Sequence, residues 1–472
     1  MRVLLIMPNY GNSPHNTNFW FYGHIFPPLG LEYIAAHIED LAEVRIIDNR
    51  LKSVNLKVVE KTIKRFRPDY VGISCNFSPQ AYVACKIAGI AKEYGARTVV
   101  GGWHPTLVLD EMLDSPSVDI VVRGEGESTF RELVLKNSPV GVLGLSYNHN
   151  GKQIHNPDRK LLDLKHIRPP ARHFRSASAK ASYHFFGFPV ECIEISRGCP
   201  YSCTFCCIHN FYRHRYRRRP IPEVIRELRG IANKASLVFI VDDNFVVDRK
   251  YVIALCDAII KNGIRTFFKT QVRVDSIVNH PDVFKKMADA GFLYLFLGFE
   301  SFSDRALKKL NKRIKFKEIK SAIKILHDLG YLIQGNVILG ADLEDTKKDL
   351  ETTIEIAKTL DIDMLSFTLL TVFPGTELME YVLKEDLLLT MDWREFDWLA
   401  PTIKYPNLTS DELKYYLTKA HKEIPFFDNP LRRIGNSIRA RGLKFFFSRI
   451  ARMSQIKTIP QVLQYLMKTM RS

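Results

Sequence analysis

Two apolar patterns alternate along the first part of the chain. Short continuous apolar runs, RVLLIMP, VRIID, YVGISC, RTVVGG and VDIVVRG, are separated by stretches of helical period such as LGLEYIAAHIED and PQAYVACKIAGIAKEYG. A strand that is apolar on both faces must be covered on both, and strand–helix alternation does this with a parallel sheet between helices. The pattern predicts a doubly wound α/β sheet over residues 1–149. Its first strand is MRVLLIMPNYG, whose apolar run is too short for a leader and lacks a small-residue cleavage site. In such sheets ligands sit beyond the carboxyl ends of the strands. The polar and glycine-rich turns fall there: Ser74-Cys75-Asn76, Gly101-Gly102-Trp103-His104 and Gly124-Glu125-Gly126-Glu127.

Residues 150–188 are irregular, with Pro169-Pro170 and several basic residues, and read as a linker. From Val190 the alternation resumes for six units, with strands ECIEIS, SLVFIVD, RTFFKTQ, FLYLFLGF, YLIQGNVIL and MLSFTLL. Six βα units predict a partial barrel over 189–395, with function on the loops after the strands. Beyond Phe396 the pattern breaks. Thr409-Ser410 before DELKYYLTKAHKEI predicts a capped helix, within a small, mainly helical region over 396–472.

The 472 residues are 46% hydrophobic and 25% charged, the balance of a folded protein of several domains. No stretch approaches the roughly 18 apolar residues of a spanning helix, and the chain reads as cytoplasmic. Of the net charge of +17, ten come from Asn429–Ser472, which holds ten Lys/Arg and no Asp/Glu. Leu431, Ile434, Ile438, Phe445, Phe446, Ile450 and Met453 interleave with those cations. The spacing suits an interfacial helix on anionic lipid at the membrane periphery, or a terminal helix packed on the barrel. No nucleic-acid recognition module accompanies the charge, which disfavours that partner.

Cys199, Cys203, Cys206 and Cys207 lie within nine positions, in SRGCPYSCTFCCIHN. Clustering in a long chain of this kind points to metal rather than disulfides. Three thiolates spaced C-x3-C-x2-C can bind three irons of a cubane and leave the fourth open, as a catalytic cluster requires. Zinc competes, with Cys207 or His209 as a fourth ligand, although no second pair follows. Cys75, Cys85, Cys192 and Cys256 read as small buried hydrophobes.

The cysteine motif, with Phe205 before its last cysteine, resembles that of the radical S-adenosylmethionine (SAM) superfamily. Further matches are PPLGLEYIAAHIE (27–39), YVGISCN (70–76), VVGGWHP (99–105) and DIVVRGEGE (119–127) in the first domain. In the barrel they are VDDNF (241–245), LGFES (297–301), NVILG (336–340) and VFPGTEL (372–378). With them the chain resembles the cobalamin-binding radical SAM enzymes from Met1 to about residue 400.

The resemblance implies that Cys199, Cys203 and Cys206 ligate a [4Fe–4S] cluster and that SAM chelates its open iron. Reductive cleavage of SAM would then yield a 5′-deoxyadenosyl radical that takes hydrogen from substrate. Phe205 would lie near the adenine, Asp242 and Asp243 at the SAM amino group or reaction centre, and Gly298 and Glu300 at the ribose or methionine end. Bland readings stand beside these: a solvated turn or a cap near Asp248 for the aspartates, and a cap near Ser303 for Glu300.

Cobalamin would lie against Ser74, Gly101, Gly102, His104, Gly124 and Glu125. The Asp-x-His-x-x-Gly string is absent, which implies base-off binding without a histidine from that motif. The basic run RHRYRRRP (Arg213–Pro220) reads mainly as a solvated surface segment, with contact to an anionic substrate or cofactor as the alternative.

The implied activity is methylation of an unactivated carbon on a lipid-like or secondary-metabolite intermediate, with general similarity to hopanoid methylases. A flavodoxin or ferredoxin would supply electrons. The alternatives are an anaerobic oxidative cyclase of the same architecture and an iron–sulfur electron-transfer or scaffold protein. A methylthiotransferase acting on tRNA would need three more cysteines in the first domain, where only Cys75 and Cys85 occur.

Overall fold

A computed structural model describes residues 1–10, 25–51, 53–176, 179, 182–185, 188–424 and 437–442. The first sheet holds β1 (Arg2–Met7), β2 (Glu43–Asp48), β3 (Tyr70–Ser74), β4 (Arg97–Gly101), β5 (Ile120–Val122), β6 (Leu145–His149) and β7 (Lys152–His155). Its order is β2-β1-β3-β4-β5-β6-β7, parallel through β5. Val3 to Ile6 of β1 are at most 1% exposed, because alternate residues enter two separate cores. Leu4 and Ile6 pack with Val71 and Ala84 on one face, Val3 and Leu5 with Tyr70 and Phe130 on the other. This is the two-faced burial that the continuous apolar runs predict. The antiparallel hairpin β6–β7 extends the sheet to His155, inside the stretch read from sequence as linker.

The second sheet holds β8 (His184–Phe185), β9 (Phe188–Ile193), β12 (Leu237–Ile240), β13 (Phe267–Val272), β14 (Phe292–Glu300), β15 (Leu332–Leu339) and β16 (Met364–Leu369). The strands from β9 to β16 are six parallel neighbours, the expected partial barrel, and β8 runs antiparallel at the edge. A small ribbon pairs β10 (Ser196–Arg197) with β11 (Arg217–Arg218). Outward residues such as Phe268, Leu295 and Ile333 are wholly buried beneath helices. The inward residues Gln271, Phe296, Gln334, Asn336 and Ser366 stay partly exposed, so the strands curl around an open lumen.

The helix Ser410–Glu423 begins as expected, with Thr409 and Glu412 in a capping box. Of the basic tail, only 437–442 lies within the described residues. Ser437 donates to the Gly330 carbonyl at 2.8 Å, and Arg441 to that of Phe292 at 2.7 Å, so this piece packs on the amino-terminal ends of the barrel strands. Leu431, Ile434, Phe445, Phe446, Ile450 and Met453 lie outside the described residues. No helix among the described residues is long and apolar enough to cross a membrane.

The segment after β7 clamps the two sheets together. Arg175 donates to Glu191 of β9 at 2.7 Å and to Glu32 of the helix Leu29–Ile38 at 2.8 Å. Arg172 reaches the Cys192 carbonyl and Glu227, both at 2.6 Å. Glu32 is 0% exposed, so deleting its cation strands a buried charge. Arg175→Ala is expected to cost about 3–5 kcal/mol in denaturant unfolding. Breaking the exposed Arg226–Glu223 pair by Arg226→Ala is expected to cost under about 1 kcal/mol.

Candidate active site and cofactor surfaces

The cysteine loop leaves the carboxyl end of β9 and is pinned from several sides. Asp242 accepts from the Ile195 amide at 2.7 Å and from the Ser196 hydroxyl, and Asp243 accepts from the Gly198 amide at 2.8 Å. Burial pushes both carboxyls up to about 7. Neither aspartate is a solvated turn, and the cap of the helix Arg249–Lys261 is Asp248. Gly198 has φ +88°, and a Cβ there would overlap the Arg215 carbonyl, so only glycine fits. Further along, Asn311 donates to the Ser202 carbonyl at 2.6 Å, Thr204 to that of Leu310 at 3.2 Å and Leu378 to that of Thr204 at 2.9 Å.

Around the sulfurs, Arg273 lies 3.7 Å from Cys203 Sγ and stacks on Tyr201 at 3.6 Å, and Asn244 lies 4.0 Å from Cys199 Sγ. Arg273 was not legible as a site residue, since a lone arginine after the third barrel strand carries no motif. Burial raises the Cys199 and Cys206 thiols. Among the described residues no three His, Cys, Asp or Glu side chains converge on one ion. A cubane takes its three thiolates on three separate irons, and the donor set fits that group. Cys207 points its thiol into a buried setting that lifts its pKa to about 11. Cys75, Cys192 and Cys256 are at most 1% exposed and Cys85 is half-buried, as small core residues are.

Glu300 ends β14 with φ +62°, a conformation that non-glycine residues seldom hold. The strand register slips between Gly298 and Glu300, and Lys312 Nζ meets Glu300 Oε1 at 2.6 Å. A side chain at Gly298 would overlap Glu300 Oε1 and approach Lys312 Nζ to 2.9 Å. The neighbouring helix Asp304–Lys309 is capped by Ser303, so Glu300 is not a cap. Phe205 sits beside this pair, its ring 6.0 Å from Lys312 Nζ.

In the first sheet, Ser74, Gly101 and the turn from Gly124 stand at the carboxyl ends of β3, β4 and β5. Gly102 has φ +123°, and a Cβ there would lie 2.5 Å from the Cys75 carbonyl and 2.6 Å from Asn76 Oδ1. Gly124, with φ +70°, has open space where a Cβ would be. His104 is 3% exposed. Its Nδ1 lies 3.1 Å from Ser78 Oγ, its ring 5.0 Å from that of Trp393, and its Nε2 is buried without a partner. Burial lowers its pKa to about 4, so the imidazole is neutral.

Glu125 is engaged elsewhere than at a ligand surface. It accepts from Arg197 at 2.7 Å, from Arg217 at 2.9 Å and from the Leu162 amide at 2.7 Å. Arg197, two residues before Cys199, also binds Glu127 at 2.5 Å and Glu194 at 2.7 Å and is only 5% exposed. The basic run divides: Arg213, His214, Arg215 and Arg218 are exposed, as the sequence reading had it, while two of its arginines are drawn inward. Arg217 pairs with Glu125 and Arg219 with Glu227, both arginines shielded between the domains. Their carboxylate partners are distant in sequence or on another element, which is why charge pattern alone misread them.

Residues 22–134 match the B12 binding domain family and residues 193–376 the Radical SAM superfamily. An uncharacterized methyltransferase of Pyrococcus horikoshii is 33% identical over 440 residues, covering 91% of this chain and 93% of that protein. The chain belongs to the cobalamin-binding radical SAM enzymes.

Membership brings a [4Fe–4S] cluster and SAM, and the B12 binding domain brings cobalamin. It also replaces the reading as an electron-transfer or scaffold protein with that of an enzyme. The anaerobic magnesium-protoporphyrin IX monomethyl ester cyclase of Rubrivivax gelatinosus is 27% identical over 458 residues, covering 92% of this chain and 80% of the cyclase. The fold is shared with the cobalamin-dependent SAM radical enzyme OxsB, solved with aqua-cobalamin and SAM. That likeness has a TM-score of 0.72 at 18% identity, over 95% of this chain and 72% of OxsB.

Alanine at Cys199, Cys203 or Cys206 is expected to abolish iron and sulfide retention after anaerobic reconstitution. Cys207→Ala is expected to keep both, as read by metal analysis and visible absorbance.

Proposed function

We propose that this enzyme is a cobalamin-dependent radical SAM methyltransferase acting on an unactivated carbon of a small organic intermediate bound in the barrel lumen. The carrying observation is 33% identity, sustained over 91% of the chain, with a protein named as a methyltransferase. The cluster and SAM supply a substrate radical when bound, and cobalamin supplies the methyl group. The chain supplies position and shelter.

Cys199, Cys203 and Cys206 would hold the cluster. Asp242 and Asp243 orient that loop by accepting its amides rather than by facing solvent. The Glu300–Lys312 pair offers SAM a carboxylate for ribose hydroxyls or ammonium and a cation for its carboxylate, with Gly298 leaving room for the pair and Phe205 flanking it. Ser74, Gly101, Gly102 and Gly124 form a surface close to backbone for the corrin or its tail, and His104 packs behind it. Hydrophobic intermediates suit the mixed lumen wall of Phe239, Phe296 and amide side chains, and the electron would come from flavodoxin or ferredoxin.

Reconstituted enzyme given SAM and a low-potential reductant is expected to release 5′-deoxyadenosine. Metabolites extracted anaerobically from cells with and without the gene should differ by a pair separated by one methylene unit. A pair differing by oxygen or hydrogen alone would make the enzyme a cyclase-type oxidant instead. Glu300→Gln is expected to weaken SAM binding about tenfold while iron content stays at the wild-type level, as read by equilibrium dialysis.

A further inference from the structure

Lys269 faces the barrel interior from β13, where it pairs in register with Phe239 of β12 and Tyr294 of β14. It is 6% exposed. Four aromatic rings enclose its ammonium: Phe185 at 4.2 Å, Tyr294 at 4.5 Å, Phe239 at 5.1 Å and Phe26 at 5.6 Å. Phe26 comes from the first domain, its carbonyl held by Arg50 at 2.8 Å. Among the described residues the ammonium makes no hydrogen bond or ion pair. Burial among rings pushes its pKa down to about 7.

Ring faces attract a cation, yet they leave its charge uncancelled. A methionine would fill the same space without the cost of burying a charge. Two residues further along β13, Gln271 is partly exposed to the lumen beside Phe296, and Tyr294 donates to Gln334 at 2.6 Å. The lysine thus lies beneath a lumen wall whose Gln271, Gln334, Asn336 and Ser366 are amides and a hydroxyl, and Glu194, beyond Cys192 at the end of β9, is already paired with Arg197. A positive centre at the floor of such a cavity selects for negative charge.

We propose that Lys269 is a substrate-specificity residue that receives an anionic group, a carboxylate or phosphate, from a substrate whose apolar body lies along the lumen. This deepens the methyltransferase reading and rests on its placing the substrate in the lumen. The aromatic cage holds the ammonium at a fixed height, and the anion replaces the missing counter-charge.

The test is calorimetric titration of the full-length protein, with neither SAM nor reductant, using octanoate, benzoate and octyl phosphate against octanamide, benzamide and octanol. Wild type is expected to bind the anions at least about tenfold tighter than the neutral partners. Lys269→Met and Lys269→Gln are expected to remove that preference. The methionine variant should unfold at a denaturant midpoint no lower than wild type, since the lysine serves binding rather than folding. No anion preference in wild type, including no binding at all, overturns the proposal, as does a preference that survives in Lys269→Met. Phosphate-only or carboxylate-only preference supports it and tells which anion the substrate carries. Failure here leaves the 5′-deoxyadenosine and methylation assays unaffected, because these titrations involve no turnover.

Discussion

The buried ion cluster around Arg197 is the interaction on which the rest of the site depends. One guanidinium, two residues from the first cluster cysteine, is shared by Glu125 and Glu127 of the first domain and Glu194 of the barrel. Arg217 from the adjoining ribbon strand completes it through Glu125. Charges withdrawn from water stabilise a contact only when geometry and partners are complete, and removing one partner leaves the others stranded. The contact is therefore close to all-or-none. Two of its carboxylates, Glu125 and Glu127, sit on the same strand-end turn as Gly124, so the loop that would carry the corrin and the loop that would carry the cluster are fixed by adjacent residues. An apolar interface could slide by a rotamer; a shared guanidinium with three carboxylates has one register.

Local strain around the barrel mouth has the same logic. Gly198 takes a positive φ in close contact with the Arg215 carbonyl, and Glu300 takes one without being glycine. Such conformations persist where surrounding contacts over-determine them. Asp242 and Asp243 supply those contacts for the first loop, and Gly298 with Lys312 supplies them for the second. Carboxylates that accept loop amides cannot also be freely solvated, so the two aspartates shape the cysteine loop from within.

The fold was largely legible because burial on two faces writes itself as continuous apolar runs, and both sheets read that way. The hairpin β6–β7 escaped because its sequence, LSYNHNGKQIH, is short and mostly polar. Its turn did carry a signal. Asn150-Gly151 takes positive φ at both residues, 48° and 75°, the geometry of a two-residue hairpin turn for which this dipeptide is suited. The site was legible only where chemistry is local. Three cysteines in eight residues announce a cluster, whereas the partners of Arg197 and Arg217 come from turns about 70 and 92 positions away, and no spacing rule joins them. Glu125 shows the cost: it sits on the predicted cofactor loop, yet its carboxylate faces the barrel.

His104 shows how geometry can supply a reason that a missing motif cannot. The absence of Asp-x-His-x-x-Gly says only that one known arrangement is not used. In the folded chain the imidazole lies between Ser78 and Trp393, and Trp393 is itself fixed by its indole nitrogen donating to Glu111 at 2.6 Å. Burial keeps the ring neutral, and the nitrogen left without a hydrogen bond is enclosed by protein rather than open to the strand-end surface. The indole keeps its ring contacts with both His104 and Phe396. The same packing that draws the region after the barrel onto the first domain thus buries the histidine of the Gly-Gly-x-His turn.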